Sequence, residues 1–221
     1  MTESSPRHRT RVKVCGIRDH EAAQTAAMAG ADAIGFIFVK DTPRYIEPED
    51  ANAIMMSLPP FVSAVGVTRD LSVDDFNDVY VACPTQISQF HGSESEKVLS
   101  DCCGPCNVKA FKYDSTTIAS QLKRWGAHDE VDAVLIDGGD GGEGVALDWN
   151  RLAEHLEGFS KPVFLAGGLD PDNVGEAIRA VRPYAVDVSS GVESAPGVKD
   201  LGRVRAFVAA VTDADASLAS A

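Results

Sequence analysis

Eight short apolar runs alternate with eight segments of helical periodicity along this chain, and that alternation limits the possible folds more than any other feature. The apolar runs cover residues 12–14, 33–38, 62–67, 86–90, 108–111, 133–136, 163–165 and 185–188. Strands that alternate with helices pair in parallel, and helices then cover both faces of the sheet, so strands such as 33–38 are continuously apolar. Eight such units in 221 residues predict a single-domain (β/α)8 TIM barrel of the α/β class.

An open, doubly wound parallel sheet is the alternative that this alternation leaves. Such a sheet normally carries a G-x-G-x-x-G sequence directly after its first strand. Residues 15–18 of this chain read Cys-Gly-Ile-Arg instead, which favours the barrel. We expect the barrel to occupy residues 11–212, with a flexible N-terminal segment at 1–10 and a flexible C-terminal tail at 213–221.

The charge of the chain excludes several classes of partner. It has 20 Lys and Arg against 33 Asp and Glu, a formal net charge of −13. Binding a polyanion needs a positive surface, so we expect no nucleic-acid partner and no anionic membrane surface. No stretch approaches the apolar length of a membrane span, and residues 1–10 contain no apolar signal core. We therefore expect a cytoplasmic protein.

The cysteines indicate reduced thiols. Five cysteines, an odd number, do not suggest a disulfide framework in a chain of this length. Cys103-Gly104-Pro105-Cys106 spells C-x-x-C, but it follows a helical segment and precedes a strand, the reverse of the order in thioredoxin-like proteins. A zinc site would need a second ligand pair at comparable spacing, and the sequence has none. We interpret this segment as a loop and expect no metal ion.

Small residues follow the last two apolar runs. Gly167-Gly168 follow the seventh run and Ser189-Ser190-Gly191 follow the eighth. One such turn would only tighten a strand-to-helix connection, but barrels of this class often bind phosphate with the loops after strands 7 and 8. Asp170-Pro171 is expected to begin a helix whose dipole, with exposed backbone N–H groups, would attract an anion. The two turns together predict a phosphate site.

Two reactive side chains stand where barrel strands would end on one rim. Cys15 ends the first strand and Asp137 ends the sixth. Without regard to its place in the barrel, Cys15 would be interpreted as a small buried apolar residue, and Asp137 as the first residue of a turn. On the rim where barrel enzymes carry their active sites, they form a candidate base and acid pair. The base needs a thiol pKa lowered by amide dipoles or a cation, and the acid needs a raised carboxyl pKa, for which the glycine-rich segment 138–144 could act as a closing cover.

Arg44 and His91 are polar candidates on the same rim. Arg44 has two interpretations. It either forms a surface ion pair with Glu47 or Glu49, or its planar guanidinium binds a carboxylate or phosphate of the substrate. His91 is either a polar group of the rim that contacts substrate or the capped end of a strand. The sequence favours neither interpretation of His91.

Taken together, several segments resemble the phosphoribosylanthranilate isomerases of tryptophan biosynthesis over nearly the whole chain. These segments are VKVCGI at 12–17, AGADAIGFIF at 29–38, TPRYI at 42–46, QFHG at 89–92, LID at 135–137 with the GGEG and LDW that follow, AGGLDPDNV at 166–174, and DVSSGVE and PGVKD within 187–200. No one of these segments is specific, but the set is.

The resemblance implies a cofactor-independent isomerase that converts N-(5-phospho-β-D-ribosyl)anthranilate into 1-(2-carboxyphenylamino)-1-deoxy-D-ribulose 5-phosphate by an Amadori rearrangement. It implies Asp137 as the general acid that opens the ribose ring and Cys15 as the general base at sugar C2. Arg44 would hold the anthranilate carboxylate, and Asp187 would play a supporting role near the substrate. The phosphate would be held by backbone amides of Gly167, Gly168, Ser189, Ser190 and Gly191. We expect a small phosphoribosyl substrate and a monomer or homodimer.

Two other functions remain open at this point. The isomerase of histidine biosynthesis performs the same rearrangement on a related barrel, but with a pair of aspartates, so Cys15 disfavours it. A non-catalytic phosphate-ligand binder or a redox-responsive barrel would keep the phosphate turns without the chemistry. The chain also departs from the family pattern at Thr68, at Leu147 and in the acidic loop 138–144. The resemblance implies that these residues form the walls and the cover of the pocket for the aromatic ring of the substrate.

Overall fold

The computed structural model describes residues 9–102, 104–139 and 147–220. Its central strands follow chain order around a closed barrel, and neighbouring strands are parallel throughout. The strands are β1 (Arg11–Cys15), β2 (Ala33–Ile37), β3 (Ser63–Thr68), β4 (Ile87–Phe90), β5 (Asn107–Lys112), β6 (Ala133–Asp137), β7 (Val163–Ala166) and β8 (Ala185–Val188). The predicted single-domain (β/α)8 barrel is confirmed.

Helices connect the strands on the outside of this barrel. They are α1 (His20–Ala29), α2 (Pro48–Met55), α3 (Val73–Ala82), α4 (Glu96–Asp101), α5 (Ile118–Gly126), α6 (Trp149–His155), α7 (Val174–Val181) and α8 (Leu201–Ala219). After β8 come a 3-10 turn (Ser190–Val192) and a short antiparallel pair, β9 (Glu193–Ala195) and β10 (Val198–Lys199). Across the three described ranges, none of these helices combines the length and the apolar character that a membrane span requires.

Side-chain alternation along the strands separates two buried layers. The larger layer joins strand residues such as Val14 to helix residues such as Phe207, so it lies between the barrel and the helices. Two smaller clusters, which include Leu135 and Cys15, contain only strand residues and therefore fill the inside of the barrel. Because successive residues of a strand point to opposite faces, Lys13 lies on the same inner face as Cys15.

Side-chain caps explain where several helices begin and end. Asp19 accepts a hydrogen bond from the backbone N–H of Ala22 at the start of α1, and Gly30, with φ of 110°, ends that helix. Asp148 accepts from the N–H of Arg151 and caps α6. These side-chain bonds fix where α1 and α6 begin.

The helix after β7 begins later than predicted. Oδ1 of Asp170 accepts hydrogen bonds from the N–H groups of Asp172 and Asn173, at 2.8 and 3.0 Å. These bonds close a separate turn, and α7 starts at Val174. The prediction of a helix start at Asp170-Pro171 was wrong, because the Asp170 side chain accepts hydrogen bonds from N–H groups of a turn that precedes the helix.

The last helix extends into residues 213–219, the segment that we expected to be a flexible tail. The last helix continues to Ala219, and Val211 and Ala214 remain buried on its inner side. Asp215 accepts two hydrogen bonds from Thr10, from the backbone N–H and from Oγ1, each of 2.7 Å. Thr10 is itself buried, so the residue that precedes β1 is tied to the last helix. Residues 1–8 and 221 of the predicted flexible ends lie outside the described residues.

We predict that Asp215→Ala lowers the free energy of unfolding by about 1–3 kcal/mol, because a buried donor loses its acceptor. Chemical denaturation followed by circular dichroism measures this difference. Asp213→Ala is the matched control, since Asp213 is exposed on the same helix and should change stability little. Equal stability of the two variants would contradict the anchoring role of Asp215.

Candidate active site

Cys15 lies at the inner, carboxyl end of β1 and is almost fully buried. It pairs in register with Gly35 of β2, and a Cβ atom added at Gly35 would lie 2.7 Å from the Cys15 Sγ. Gly35 therefore makes room for the thiol inside the barrel. The expected position of Cys15 on the rim is confirmed by this strand register.

A buried ion pair lies directly behind this thiol. Lys13 Nζ lies 2.9 Å from Asp187 Oδ2, and both side chains are buried. The two residues are register partners on β1 and β8. Asp187 Oδ1 is buried with no hydrogen-bond partner among the residues that the structure describes. Sequence reasoning gave Lys13 no role, although a lysine inside an apolar strand, two residues before Cys15, was the available signal.

The protonation of Cys15 differs from the expectation. Burial raises the pKa of the Cys15 thiol, the nearby Lys13 ammonium opposes that effect, and the Asp187 carboxylate adds to it. The net pKa lies above the ordinary value of 9.0. The lowered pKa that a thiolate base requires is not met in this structure, because the loss of hydration outweighs the neighbouring charge. Cys15 is a thiol at neutral pH.

Asp137 ends β6 on the inner face and is held by two neighbours. Its Oδ1 accepts a 2.8 Å hydrogen bond from the N–H of Gly139, and its Oδ2 lies 3.4 Å from His91 Nε2. His91 Nδ1 lies 2.9 Å from Gln89 Nε2. With the Gln89 amide N–H donating to Nδ1, the hydrogen of a neutral His91 ring lies on Nε2, which faces the Asp137 carboxylate.

The pKa of Asp137 also differs from the expectation. Burial raises the pKa of this carboxyl. The hydrogen bonds from His91 and the Gly139 N–H, together with the Lys112 charge, lower the pKa by more than burial raises it. The net pKa is below the ordinary value of 3.8, so the raised pKa that a proton donor requires is not met in this structure. The raised value was expected from a closing glycine-rich cover, and residues 140–146 of that segment lie outside the described residues.

Arg44 has a partner that neither sequence interpretation named. Its Nε and Nη2 donate to the two carboxylate oxygens of Glu193, at 2.8 and 2.9 Å. Lys199 Nζ donates to the same carboxylate at 2.8 Å and to the Ser189 carbonyl at 3.0 Å. A Cβ added at Gly16 would lie 3.0 Å from Arg44 Cδ, so Arg44 packs beside the end of β1. Arg44, Glu193 and Lys199 thus link the first and last strand ends.

The two predicted phosphate turns lie against each other. Gly167 and Gly168 adopt φ of 88° and 64°, a left-handed conformation that favours glycine. A Cβ added at Gly191 would collide with the carbonyl oxygen of Leu169. Only glycine therefore allows the turn after β8 to touch the turn after β7. The turns form one surface of small residues on the rim, as predicted.

An open cleft of about 1440 Å³ borders the acid side of this rim. Its lining includes His91, Lys112, Asp137 and Leu147. The volume exceeds that of a typical small-molecule site, roughly 300–1,000 Å³. Leu147, a departure from the family pattern, therefore borders this space, whereas Thr68 is buried beside the β4 end and accepts the N–H of His91 through its carbonyl.

Comparison with known proteins identifies close relatives. The family model described as N-(5'phosphoribosyl)anthranilate (PRA) isomerase matches residues 12–210. An N-(5'-phosphoribosyl)anthranilate isomerase from Pseudomonas putida (strain GB-1) is 43% identical over 208 residues, which cover 92% of this chain and 98% of the relative.

Solved structures agree with this similarity. The phosphoribosyl anthranilate isomerase of Thermus thermophilus has a TM-score of 0.82 and 36% identity, over 92% of this chain and 99% of its own. A phosphoribosyl anthranilate isomerase in complex with reduced 1-(o-carboxyphenylamino)-1-deoxyribulose 5-phosphate has a TM-score of 0.81 and 35% identity, with the same coverage.

Proposed function

The chain belongs to the N-(5'-phosphoribosyl)anthranilate isomerase family, and we propose that Cys15 and Asp137 carry out the proton transfers of its reaction. The enzyme converts N-(5-phospho-β-D-ribosyl)anthranilate into 1-(2-carboxyphenylamino)-1-deoxy-D-ribulose 5-phosphate in tryptophan biosynthesis. Substrate and product are isomers, so the chemistry consists of moving protons and electron pairs within one molecule. Membership of this family excludes the histidine-pathway isomerase and the non-catalytic binder.

The reaction begins at the ribose ring. Asp137 donates a proton to the ring oxygen, the C1–O bond breaks, and the amine lone pair forms a C1=N bond, which gives a protonated Schiff base. Cys15, as the thiolate, removes the proton from C2, and the electrons of that C–H bond form a C1=C2 bond while the C1=N electrons return to nitrogen. The resulting enolamine tautomerises to the ketone when the C2 hydroxyl loses its proton and C1 gains one.

The strand order of the barrel is the observation that carries this proposal. Cys15 and Asp137 lie on the inner face at the carboxyl ends of β1 and β6. On the shorter arc between them, the ring contains only β7 and β8. Those two strands lead into the Gly167-Gly168 and Ser189-Gly191 turns. A sugar whose phosphate is bound by these turns would extend between the acid and the base.

Other rim residues receive supporting roles in this proposal. Arg44 binds the anthranilate carboxylate, and Glu193 fixes the direction of its guanidinium by holding Nε and Nη2. Asp187 keeps Lys13 beside the Cys15 thiol, where the ammonium stabilises the thiolate form. The buried Asp187 Oδ1 can accept a hydrogen bond from a sugar hydroxyl, which would satisfy an otherwise costly group.

At neutral pH the protonation states of the proposed base and acid are the reverse of those that the reaction requires. The raised pKa of Cys15 keeps it protonated, and the lowered pKa of Asp137 keeps it ionised. The reactive form has the same total number of protons, with one proton moved from the sulfur to the carboxylate. Its fraction is therefore constant between the two pKa values, and only a change in total proton number alters it.

We predict that kcat/KM is flat across the neutral range. The rate should fall only below the ordinary aspartate pKa of 3.8, where Cys15 and Asp137 are both protonated, and above the ordinary thiol pKa of 9.0, where both are deprotonated. Steady-state rates from about pH 5 to pH 9 measure this profile. An inflection near neutrality beyond the one caused by the phosphate of the free substrate, whose second pKa is about 6, would contradict the assigned pair of protonation states.

The direct experiment follows the loss of substrate fluorescence after enzyme is added. We predict that Cys15→Ser and Asp137→Asn each lower kcat by about 100-fold to 10,000-fold, because each removes one proton transfer. Affinity for the reduced product analogue should stay nearly unchanged. Cys83→Ser and Asp78→Asn are matched controls, since Cys83 is buried outside the barrel and Asp78 is exposed on α3. Either catalytic variant with unchanged kcat would reject that residue's role.

A further inference from the structure

A second buried ion pair lies outside the barrel, behind the His91 loop. Lys109 is on β5 between the inward-facing Val108 and Ala110, so its side chain points outward. Its Nζ lies 2.8 Å from Glu94 Oε2, and the two side chains are 3% and 2% exposed. Removing two charges from water is costly, and a well-packed apolar pair is often equally stable. Stability alone therefore does not account for Lys109.

The Lys109 ammonium binds the backbone on both sides of His91. It donates to the carbonyl oxygen of Phe90 at 3.2 Å and to that of Gly92 at 2.7 Å. A third carbonyl, that of Ala110, lies at 3.0 Å. An ammonium has three N–H donors, and four acceptors including Glu94 surround this one. Lys109 thus fixes the peptide groups that flank His91.

Glu94 completes the same arrangement. Its Oε1 accepts hydrogen bonds from the N–H of Gly92 at 3.1 Å and from the N–H of Asp70 at 3.0 Å. Asp70 belongs to the loop after β3, and its Oδ1 accepts the N–H of Ser93 at 2.6 Å. The carboxylate therefore joins two neighbouring loops of the rim. The loop that carries His91 is held by Lys109, Glu94 and Asp70, which border the same open cleft as His91.

We propose that Lys109 is a positioning residue of the isomerase, which fixes the loop that directs His91 Nε2 at the Asp137 carboxylate. The separation of 3.4 Å between those atoms is long for a hydrogen bond, so a small movement of the loop would break it. Gln89 orients the ring from inside the barrel, and Lys109 holds the backbone from outside. This inference rests on the proposed role of Asp137.

The test compares Lys109→Met with Lys161→Met. Lys161 is a matched control because its Nζ also donates to three backbone carbonyls, those of Trp125, His128 and Val131, at the opposite end of the barrel. We expect Lys109→Met to lower kcat about tenfold with little change in KM, as His91→Ala should, since a misplaced group loses rate more than binding. Lys161→Met should keep the kcat of the parent enzyme.

A double-mutant cycle separates positioning from general damage. If Lys109 acts through His91, adding Lys109→Met to His91→Ala causes no further loss of kcat. Multiplicative losses, or an equal loss in Lys161→Met, would overturn the proposal. Because Lys109→Met leaves a buried carboxylate unpaired and can unfold the chain, Lys109→Met with Glu94→Gln is the second variant, in which the amide oxygen still accepts the two N–H groups.

Nitrogen NMR of the His91 ring gives a readout that does not depend on turnover. In the parent enzyme the ring should show a single tautomer with hydrogen on Nε2, and in the Lys109 variant its signals should shift toward a tautomer average. Unchanged ring signals would overturn the role of Lys109. If Asp137→Asn kept full activity, the role of Asp137 would fail instead, and the ring signals would still report whether Lys109 positions His91.

Discussion

Alternation of side chains along eight parallel strands decides where each chemical group of this protein lies. In β1 it directs Lys13 and Cys15 inward and leaves Val12 and Val14 for the helix layer. A shift of one residue in that strand would exchange these sets and bury the thiol against helices. Closure of the ring then brings the β1 and β6 ends to one rim, although Cys15 and Asp137 are far apart in the sequence. The acid and base pair is therefore a consequence of strand register.

Buried charge is the second constraint, and the barrel uses it to set proton positions. Lys13 and Asp187 compensate each other inside the ring, while Glu193 compensates both Arg44 and Lys199 at its edge. Each pair is costly to bury, and each is in contact with a group of the proposed mechanism. The charges of Lys13, Asp187 and Lys199 act on the Cys15 thiol. Cys15 is protonated because its loss of hydration outweighs the Lys13 charge, and Asp137 is ionised because His91, the Gly139 N–H and Lys112 outweigh its loss of hydration.

The sequence predicted what depends on local pattern and on position along a strand. Eight apolar runs predicted the barrel, and the small residues after the seventh and eighth runs predicted the paired turns. Cys15 and Asp137 were found because each ends a strand. The partner of Arg44 was not found, since Glu193 is 149 residues away and only barrel closure joins them. The pKa directions could not be read from the sequence, because burial of Cys15 and the contacts of Asp137 with His91 and the Gly139 N–H exist only in the folded chain. The extension of the last helix beyond residue 212 was not predicted, because the contact between Asp215 and Thr10 forms only in the folded chain.

The central claim is that a thiol and a carboxyl group act from two sides on a sugar whose phosphate is bound between them. The most direct measurement is a crystal structure of this enzyme with reduced 1-(o-carboxyphenylamino)-1-deoxyribulose 5-phosphate. We predict the phosphate on the backbone of Gly167-Gly168 and Ser189-Gly191, with Cys15 Sγ about 3–3.5 Å from C2 and the Asp137 carboxyl near the oxygen released from the ring. A phosphate bound elsewhere, or a Cys15 sulfur shielded from the carbon chain of the ligand, would contradict it.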